Sequence, residues 1–324
     1  MTTHYPDDLP VIETTKVKQC PVCDCESFHS FAKGQDYELE TCANIWEFVQ
    51  CAQCTHVWLN PRPSVATLNT IYPPHYYSYD FETKVHPIAL KAKAILDKLK
   101  FKSFFKHLKQ TPKTYADVGC GSGRFLKLMH HMGLKKQDIY GLELTQSVVD
   151  ELNNLGFNGI NSRVEEVKEI EPESLDLVTM FHVIEHVEDP RAVVAKINQW
   201  LSKDGCLVLE TPNFDSVDAK LFKNQFWGGY HIPRHWHVFS VDTLVKLLED
   251  NGFDIVAIKY QPGHSFWLYS FHHLFKYKLN MPRVAKWFDP IGSLLFLVLF
   301  TGLDKLRAPF MKTSSVLAVA RKKA

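Results

Sequence analysis

Two stretches of this chain concentrate side chains that can move protons. The segment FHVIEHVEDP places His182, Glu185 and His186 at spacing i, i+3 and i+4, on one side of a helix or turn. The segment HIPRHWHVFS adds three further histidines, His231, His235 and His237. Near neutral pH an imidazole suits a general base. A cluster of this composition also suits a divalent cation, or hydrogen bonds that only brace a loop, and the sequence leaves these three interpretations open.

A second pattern is a pair of cysteine knuckles. CPVC (Cys20, Cys23) and CAQC (Cys51, Cys54) are separated by 27 residues. Four thiolates at this spacing can close a tetrahedral zinc site with no open coordination position, so we predict a structural zinc ion. The start MTTHYPDDLP lacks a basic stretch followed by an apolar run, which predicts a cytoplasmic protein whose thiols do not form disulfides.

The stretch ADVGCGSGRF is a glycine-rich turn of the kind that opens a nucleotide site. Gly119, Gly121 and Gly123 form the pattern G-x-G-x-G. The dinucleotide fingerprint requires glycine where Arg124 stands, and the triphosphate loop requires G-K-S/T at its end, so NAD and nucleoside triphosphates are both disfavoured. Glu143 follows 20 residues after Gly123, at the end of the next predicted strand. An acid there can accept hydrogen bonds from both hydroxyls of a ribose.

These residues need a framework of alternating strands and helices to position them. Apolar runs predict strands at 114–118, 138–144, 158–161, 175–181, 206–213, 253–260 and 314–322. Helical spacing predicts helices at 123–133, 189–205 and 241–252. Because ligands bind at the carboxyl edge of such a sheet, we expect residues 182–186 to lie next to the glycine turn.

Five segments, in this order, resemble the class I S-adenosylmethionine-dependent methyltransferases: DVGCGSG, GLEL, VIEHVEDP, KDGCLVLETPN and LVKLLEDNGF. The resemblance covers about residues 113–260. It implies an α/β fold with a Rossmann-like, doubly wound sheet of seven strands, in which the last strand runs antiparallel. It also implies that S-adenosylmethionine is the cofactor. The residues assigned to its site are Asp117, Gly119, Gly121, Gly123, Glu143, Val164 and Phe181.

Three positions depart from the family pattern. An acid after the third strand often meets the adenine amine, but Arg163 stands there, so we expect Val164 or Glu165 to make that contact. The metal motif E-x-x-E-H of some relatives has His182 in place of its first glutamate. The tyrosine–histidine–glutamate–histidine run of sugar C-methyltransferases has Arg234 in place of glutamate, so O-methylation and C-methylation both stay open.

The resemblance also assigns roles to the histidines. A histidine placed just before an F-S pair, as His235 is, often faces the substrate in this family. We therefore predict that His235, backed by His182, Glu185 or His186, is the catalytic group that meets the acceptor beside the transferred methyl.

The N-terminal region resembles the zinc-containing module that precedes the catalytic domain in methyltransferases of sugar and small-molecule pathways. There the module helps to cover the substrate; the alternative is a purely stabilising role. The stretches CDCESF and GQDYELETCANIWEF are acidic, and the whole chain has a formal net charge of +1. Nucleic acid is therefore disfavoured as a partner.

Two segments could contact the inner face of a membrane peripherally. Residues 88–109 form a lysine-rich predicted helix with Ile88, Ile95, Leu99, Phe104, Phe105 and Leu108 near one face. Residues 291–303 form an apolar run too short to span a bilayer. A solvated interdomain helix is the alternative for the first segment, and a buried hairpin, a lid or a dimer face for the second.

We divide the chain into a zinc-ribbon-like module (1–80), a basic linker helix (81–112) and a methyltransferase domain (113–324) with an apolar insertion at about 261–312. The predicted function is transfer of methyl from S-adenosylmethionine to a small-molecule acceptor. A sugar or glycan precursor is the first choice and a lipid-linked or quinone-like molecule the second. The alternative from another class is a zinc-ribbon binding module with a non-catalytic nucleotide fold, and the intact glycine turn argues against it.

Overall fold

The computed structural model describes residues 5, 6, 8–73, 87–290 and 292–323. The strands are β1 (Thr14–Thr15), β2 (Phe28–Gly34), β3 (Trp46–Cys51), β4 (Val57–Leu59), β5 (Arg62–Pro63), β6 (Tyr115–Val118), β7 (Ile139–Leu142), β8 (Asn158–Ile160), β9 (Leu175–Phe181), β10 (Leu201–Pro212), β11 (His237–Val238), β12 (Phe253–Gln261) and β13 (Ser315–Lys322). The α-helices are α1 (Leu68–Ile71), α2 (Pro87–Phe105), α3 (Arg124–His131), α4 (Gln146–Asn154), α5 (Pro190–Trp200), α6 (Val217–Phe222), α7 (Val241–Asp250), α8 (His264–His273), α9 (Pro282–Ala285) and α10 (Leu294–Arg307).

Seven strands form one central sheet, in the order β12-β13-β10-β9-β6-β7-β8. The strands from β10 to β8 in this order are parallel to one another. Strand β13 is antiparallel to both of its neighbours, β10 and β12. The predicted seven-stranded sheet with an antiparallel last strand is therefore confirmed.

Helices cover both faces of the central sheet. Neighbouring residues of a strand point to opposite faces, so Leu177 and Val178 enter two different clusters. Val178 packs in the cluster that contains the apolar residues of α5 and α7. Leu177 packs in the cluster that contains those of α2, α3 and α4. This two-sided burial explains the near-continuous apolar strands of the sequence and makes the fold doubly wound, as predicted.

The N-terminal region is joined to the rest of the protein through a second sheet, in the order β11-β4-β3-β2. Strand β11 pairs with β4 through His237 opposite Trp58 and Val238 opposite Val57. Beside this sheet the buried guanidinium of Arg234 forms an ion pair with Asp36, with a nitrogen–oxygen distance of 2.9 Å. The loop before β11 is therefore held firmly by the N-terminal region.

Two predicted helices differ from those observed. The single apolar face expected for 88–109 is wrong: Phe104 is buried, whereas Ile95 and Leu99 are exposed. The cause is that α2 lies against the sheet by its C-terminal half, where Phe101 contacts Tyr115. The helix predicted over 189–205 ends at Trp200, because residues from Leu201 onward enter β10 with a register shift. Among the described residues no helix is long and apolar enough to cross a membrane.

Candidate active site

The glycine turn after β6 has the backbone that its sequence suggests. Gly119, Gly121 and Gly123 have φ angles of +70°, +48° and +72°, which L side chains rarely adopt. A Cβ on Gly119 would lie 2.4 Å from Val183 Cγ2, and one on Gly123 would lie 2.3 Å from Leu152 Cδ2. Gly119 thus allows Val183 to pack against the turn, and Gly123 allows α4 to pack against it.

Glu143 stands directly after β7, with its carboxylate fixed by backbone amides. One oxygen accepts from the N–H groups of Leu144 (2.8 Å) and Thr145 (3.2 Å), and the other accepts from Gly121 (3.2 Å). An ionised carboxylate offers about four acceptor positions. The Glu143 carboxylate is therefore held in place by three amides and still has an acceptor position for a ligand hydroxyl.

A cavity of about 510 Å³ opens at the carboxyl ends of β6 and β7. Its volume falls within the range of about 300–1,000 Å³ typical of small-molecule sites. The lining residues are Leu68, Asn69, Tyr72, Val118, Gly119, Leu142–Thr145, Ser162–Glu165, Val183, His186–Glu188 and Trp236. The structure thus brings four of the predicted site residues together: Gly119, Glu143, Val164 and His186.

Other predicted cofactor residues lie outside this lining. Asp117 is buried beneath the turn, where it accepts a hydrogen bond from Thr179 Oγ1 at 2.6 Å, and burial raises its pKa to about 7. The ring of Phe181 packs against Phe125 and Phe101 rather than in the cavity. Phe181 can therefore contact a ligand in the cavity through its backbone but not through its ring.

Arg163, which replaces the expected acid, lies on the cavity wall but has an acidic partner. Its guanidinium is 3.2 Å from Glu188, whose other oxygen is 2.5 Å from the guanidinium of Arg62. This pairing joins the N-terminal region to the cavity rim. Val164, which is buried, and Glu165 lie next to it on the same wall, where the sequence placed the adenine contact.

His186 is the one predicted catalytic residue that lines the cavity. Its Nδ1 lies 3.0 Å from the carbonyl oxygen of Arg234 and 3.0 Å from Tyr72 Oη. A carbonyl oxygen can only accept, so the first contact requires a proton on Nδ1 and leaves Nε2 as an acceptor. Burial lowers the pKa of His186 to about 4, which keeps the imidazole neutral at physiological pH.

His235 lies behind His186 rather than on the cavity wall. The two imidazole centroids are 4.7 Å apart, and Nδ1 of His235 donates to the carbonyl oxygen of Gly229 at 2.8 Å. Burial and the neighbouring histidines lower the pKa of His235 well below its usual value. This geometry suits support of His186 better than direct contact with an acceptor.

Glu185 and His182 brace the same loop. The buried carboxylate of Glu185 accepts from Thr211 Oγ1 at 3.0 Å and pairs with His182 Nδ1 at 3.1 Å. Desolvation opposes the charged form of His182, but hydrogen bonds to Glu185 and Glu210 raise its pKa to about 10. Possible ligand atoms of Glu185, His186 and His235 also lie within 4.8 Å of one another. The predicted alternative of a divalent cation therefore has a compatible donor set.

The glycine turn, a fixed acid at the end of the next strand and a histidine lie around one cavity, and this arrangement suits a group-transfer site. The profile of the family described as "Methyltransferase domain" matches residues 90–258, more than half of the chain. The chain belongs to this methyltransferase family. The prediction of an S-adenosylmethionine-dependent methyltransferase is thereby confirmed.

Curated relatives of this methyltransferase carry a common description. The ubiquinone biosynthesis O-methyltransferase of Neisseria meningitidis serogroup A is 31% identical over 47% of this chain and 68% of that protein. The protein of the same description from Paraburkholderia phymatum is 29% identical over 39% of this chain and 56% of its own length. The mitochondrial protein of that description from Candida albicans is 29% identical over 34% of this chain and 36% of its own length.

Solved structures are similar to this methyltransferase at lower identity. An S-adenosylmethionine-dependent methyltransferase from Archaeoglobus fulgidus is 20% identical, with a TM-score of 0.46, over 71% of this chain and 94% of that one. One from Mesorhizobium loti is 17% identical, with a TM-score of 0.45, over 69% of this chain and 97% of that one.

Sequence reasoning missed two aromatic residues of the methyltransferase cavity. Tyr72 follows α1 in the N-terminal region, and Trp236 lies just before β11. The backbone N–H of Trp236 donates to the carbonyl oxygen of Glu185 at 2.7 Å, which ties its loop to the histidine segment. For Tyr72, the sequence signal that could have been used is the aromatic and proline-rich stretch after the second cysteine knuckle. Residues 74–81 of that stretch lie outside the described residues.

The four knuckle cysteines of the methyltransferase converge at one point. Cys20 Sγ lies 3.5 Å from Cys54 Sγ, and Cys23 Sγ lies 3.6 Å from Cys51 Sγ. All four sulfurs lie within 4.8 Å of one another. The set could therefore hold one metal ion.

Proposed function

We propose that this methyltransferase transfers a methyl group to a hydroxyl oxygen of a quinone-like aromatic acceptor. The observation that carries the proposal is the neutral His186, which shares one cavity with Gly119 and Glu143 and with the aromatic rings of Tyr72 and Trp236. The description shared by the curated relatives supports the same acceptor class. It gives no support to the preference for a sugar or glycan precursor.

The cofactor half of the cavity is formed by residues that suit S-adenosylmethionine. Gly119 lines the cavity with its backbone, the carboxylate of Glu143 can accept from a ribose hydroxyl, and Val164 provides an apolar wall for the adenine. When bound, the cofactor supplies an electrophilic methyl group on a sulfonium sulfur. The protein must then align the acceptor oxygen and remove its proton.

His186 is the group proposed to take that proton. Its Nδ1–H is engaged by the Arg234 carbonyl, so Nε2 is the nitrogen that can accept. As the acceptor oxygen gains the methyl group, its proton passes to Nε2. The depressed pKa keeps His186 in the base form at neutral pH, and the hydrogen bond to Arg234 holds the ring in one tautomer.

The acceptor half of the cavity favours an aromatic ring over a sugar. Leu68, Tyr72, Val187 and Trp236 provide apolar or aromatic surface. The guanidinium of Arg62 lies over the ring of Trp236 at 4.3 Å and orients it. Aromatic walls pack against a flat phenolic ring, whereas a sugar needs a polar partner for each hydroxyl.

The experiment that tests the function offers three acceptors to the purified protein with methyl-labelled S-adenosylmethionine. They are a 1,2-dihydroxybenzene with a prenyl chain, its dimethoxy derivative and a nucleotide sugar. Label is expected in a methoxy product of the first acceptor alone, because only that compound has a phenolic hydroxyl. Transfer to the nucleotide sugar but not to the phenol would overturn the proposal.

Replacement of Glu143 tests the cofactor half separately. Glu143→Ala should weaken the binding of S-adenosylhomocysteine by about 1–3 kcal/mol, the cost of leaving buried hydrogen-bond partners unmatched. Isothermal titration should show this loss, with no binding of NAD to either protein. Glu151→Ala, an exposed acid on α4, is the control and should bind normally. Equal affinity in the Glu143 variant would place the ribose elsewhere.

We further propose that Cys20, Cys23, Cys51 and Cys54 hold a structural zinc ion. A tetrahedron with Zn–S bonds of about 2.3 Å requires sulfur–sulfur distances of about 3.8 Å, close to those observed. The amides of Gln53 and Cys54 donate to Cys51 Sγ at 3.3 and 3.4 Å, which suits a thiolate at that position.

A further inference from the structure

Helix α10 and the turn after it carry a long apolar face that points away from the protein. Eight large apolar side chains in this stretch are each 45–86% exposed. They are Leu294, Leu295, Val298, Leu299, Leu303, Leu306, Phe310 and Met311. Leu295, Leu299 and Leu303 are spaced at i and i+4, so they form one stripe along the helix. We call these eight residues the α10 face.

The opposite side of α10 fixes the direction of this face. Phe300 stacks on Trp267 of α8 with ring centroids 5.4 Å apart. The buried carboxylate of Asp304 accepts from the backbone N–H of Gly263 at 2.8 Å and from Arg307 Nε at 2.9 Å. The contacts of Phe300 with Trp267 and of Asp304 with Gly263 join α10 to another part of the chain and would be lost if the helix rotated, so the leucines stay exposed while α10 remains docked.

An exposed apolar face with eight large side chains indicates an interaction with a partner. Single exposed apolar residues are ordinary, but a contiguous apolar patch of more than roughly 300–600 Å² marks an interaction site. A second exposed feature lies on the preceding segment, where Trp287 is 63% exposed and Leu279 and Met281 are also exposed. Tryptophan is enriched where one side of a ring is apolar and the other is wet, as at a membrane interface.

The charge around the α10 face indicates which partner fits. Residues 262–312 contain seven lysines and arginines and two aspartates, a formal charge of +5, whereas the whole chain has +1. One of those aspartates, Asp304, is buried. Four of the basic side chains are exposed, namely Lys278, Arg283 and Lys286 on the segment before the helix and Lys305 on α10, whereas Lys276, Arg307 and Lys312 form ion pairs with Glu40, Asp304 and Asp215. Two copies meeting through this face would bring like charges together, so the charge argues against self-association.

We propose that the α10 face lies in the plane of a membrane interface that contains anionic lipids. An apolar helix with a basic surround binds such a surface through buried apolar area and electrostatic attraction together. The 14 residues of α10 extend about 21 Å, too short to cross the hydrocarbon core, so the helix lies along the surface. This inference rests on α10 and its surroundings and holds whichever acceptor the methyltransferase uses.

The test measures co-sedimentation of the full chain with vesicles of phosphatidylcholine, with and without phosphatidylglycerol. Binding is expected to the anionic vesicles and to weaken as salt is raised. The triple variant Leu295→Glu, Leu299→Glu, Leu303→Glu should bind at least about tenfold more weakly, because it places charge on the exposed stripe that the proposal inserts into the membrane interface. Leu221→Glu, an equally exposed leucine on α6, should bind like the wild type.

A charge-reversal variant keeps the test independent of folding. Lys278→Glu, Arg283→Glu, Lys286→Glu changes only exposed side chains, and it should lose most of the preference for anionic vesicles. Absence of wild-type binding to both kinds of vesicle would overturn the proposal. So would a lipid-free dimer that the leucine variant dissociates, because a second copy would then cover the face.

Discussion

Replacing His186 by asparagine should slow methyl transfer by about 10²–10⁴-fold, the usual contribution of a general base. The variant should bind S-adenosylhomocysteine almost as the wild type does, because the cofactor half of the cavity is formed by Gly119, Glu143 and Val164. The effect arises because a phenolic proton would then have no acceptor at the place where Nε2 stands.

The measurement is a single-turnover rate on the phenolic acceptor, with His131→Asn, an exposed histidine on α3, as the matched control. His235→Asn should cost less, since His235 is buried behind His186 and donates to Gly229. A large loss in the His235 variant with none in the His186 variant would reverse the assignment. Activity that survives removal of divalent ions, with the cysteine-bound metal retained, would favour the base over a metal held by Glu185, His186 and His235.

Replacing Cys23 by serine should abolish metal binding and unfold the N-terminal region. Structural zinc contributes about 10–16 kcal/mol of folding free energy in zinc-finger peptides, so loss of one ligand has a large effect. Metal analysis should find about one zinc per chain in the wild type and far less in the variant. The variant should also melt at a markedly lower temperature.

Cys25 provides the control for this experiment. Its thiol donates to the carbonyl oxygen of Ser27 at 3.5 Å, and Cys25 does not belong to the group of four sulfurs that lie within 4.8 Å of one another. Cys25→Ser should keep both the metal and the melting temperature. A wild-type protein that folds fully without metal would contradict the zinc proposal. Because β4 pairs with β11 next to Trp236, loss of the metal should also reduce activity through the cavity wall.

The central sheet could be predicted because its signals are local. Strand runs such as LDLVTMF and the glycine turn depend on short stretches of sequence, and both appear where the pattern placed them. The carboxyl-edge rule then correctly brought Glu143 and His186 to one cavity. Helix α2 was placed correctly in the chain, but its buried face depends on contacts with Tyr115 and Phe125, which the spacing of its own residues does not reveal.

The rest of the site depends on contacts between distant parts of the chain. Tyr72 reaches His186 across 114 positions, and Arg234 reaches Asp36 across 198. No periodicity within either segment indicates such a pairing. The sequence also could not show that His186 lines the cavity while His235 lies behind it, because the carbonyl groups that hold the two rings belong to Arg234 and Gly229, in a loop fixed by the N-terminal region.

One measurement tests the central claim, that cofactor and phenolic acceptor meet in the cavity beside His186. It is a crystal structure of the protein with S-adenosylhomocysteine and a 1,2-dihydroxybenzene acceptor. The ribose should lie on Glu143, and an acceptor hydroxyl should lie about 2.6–3.2 Å from His186 Nε2, within hydrogen-bond reach of a general base. An acceptor bound outside the cavity, or a hydroxyl that contacts another base while His186 contacts none, would contradict the account.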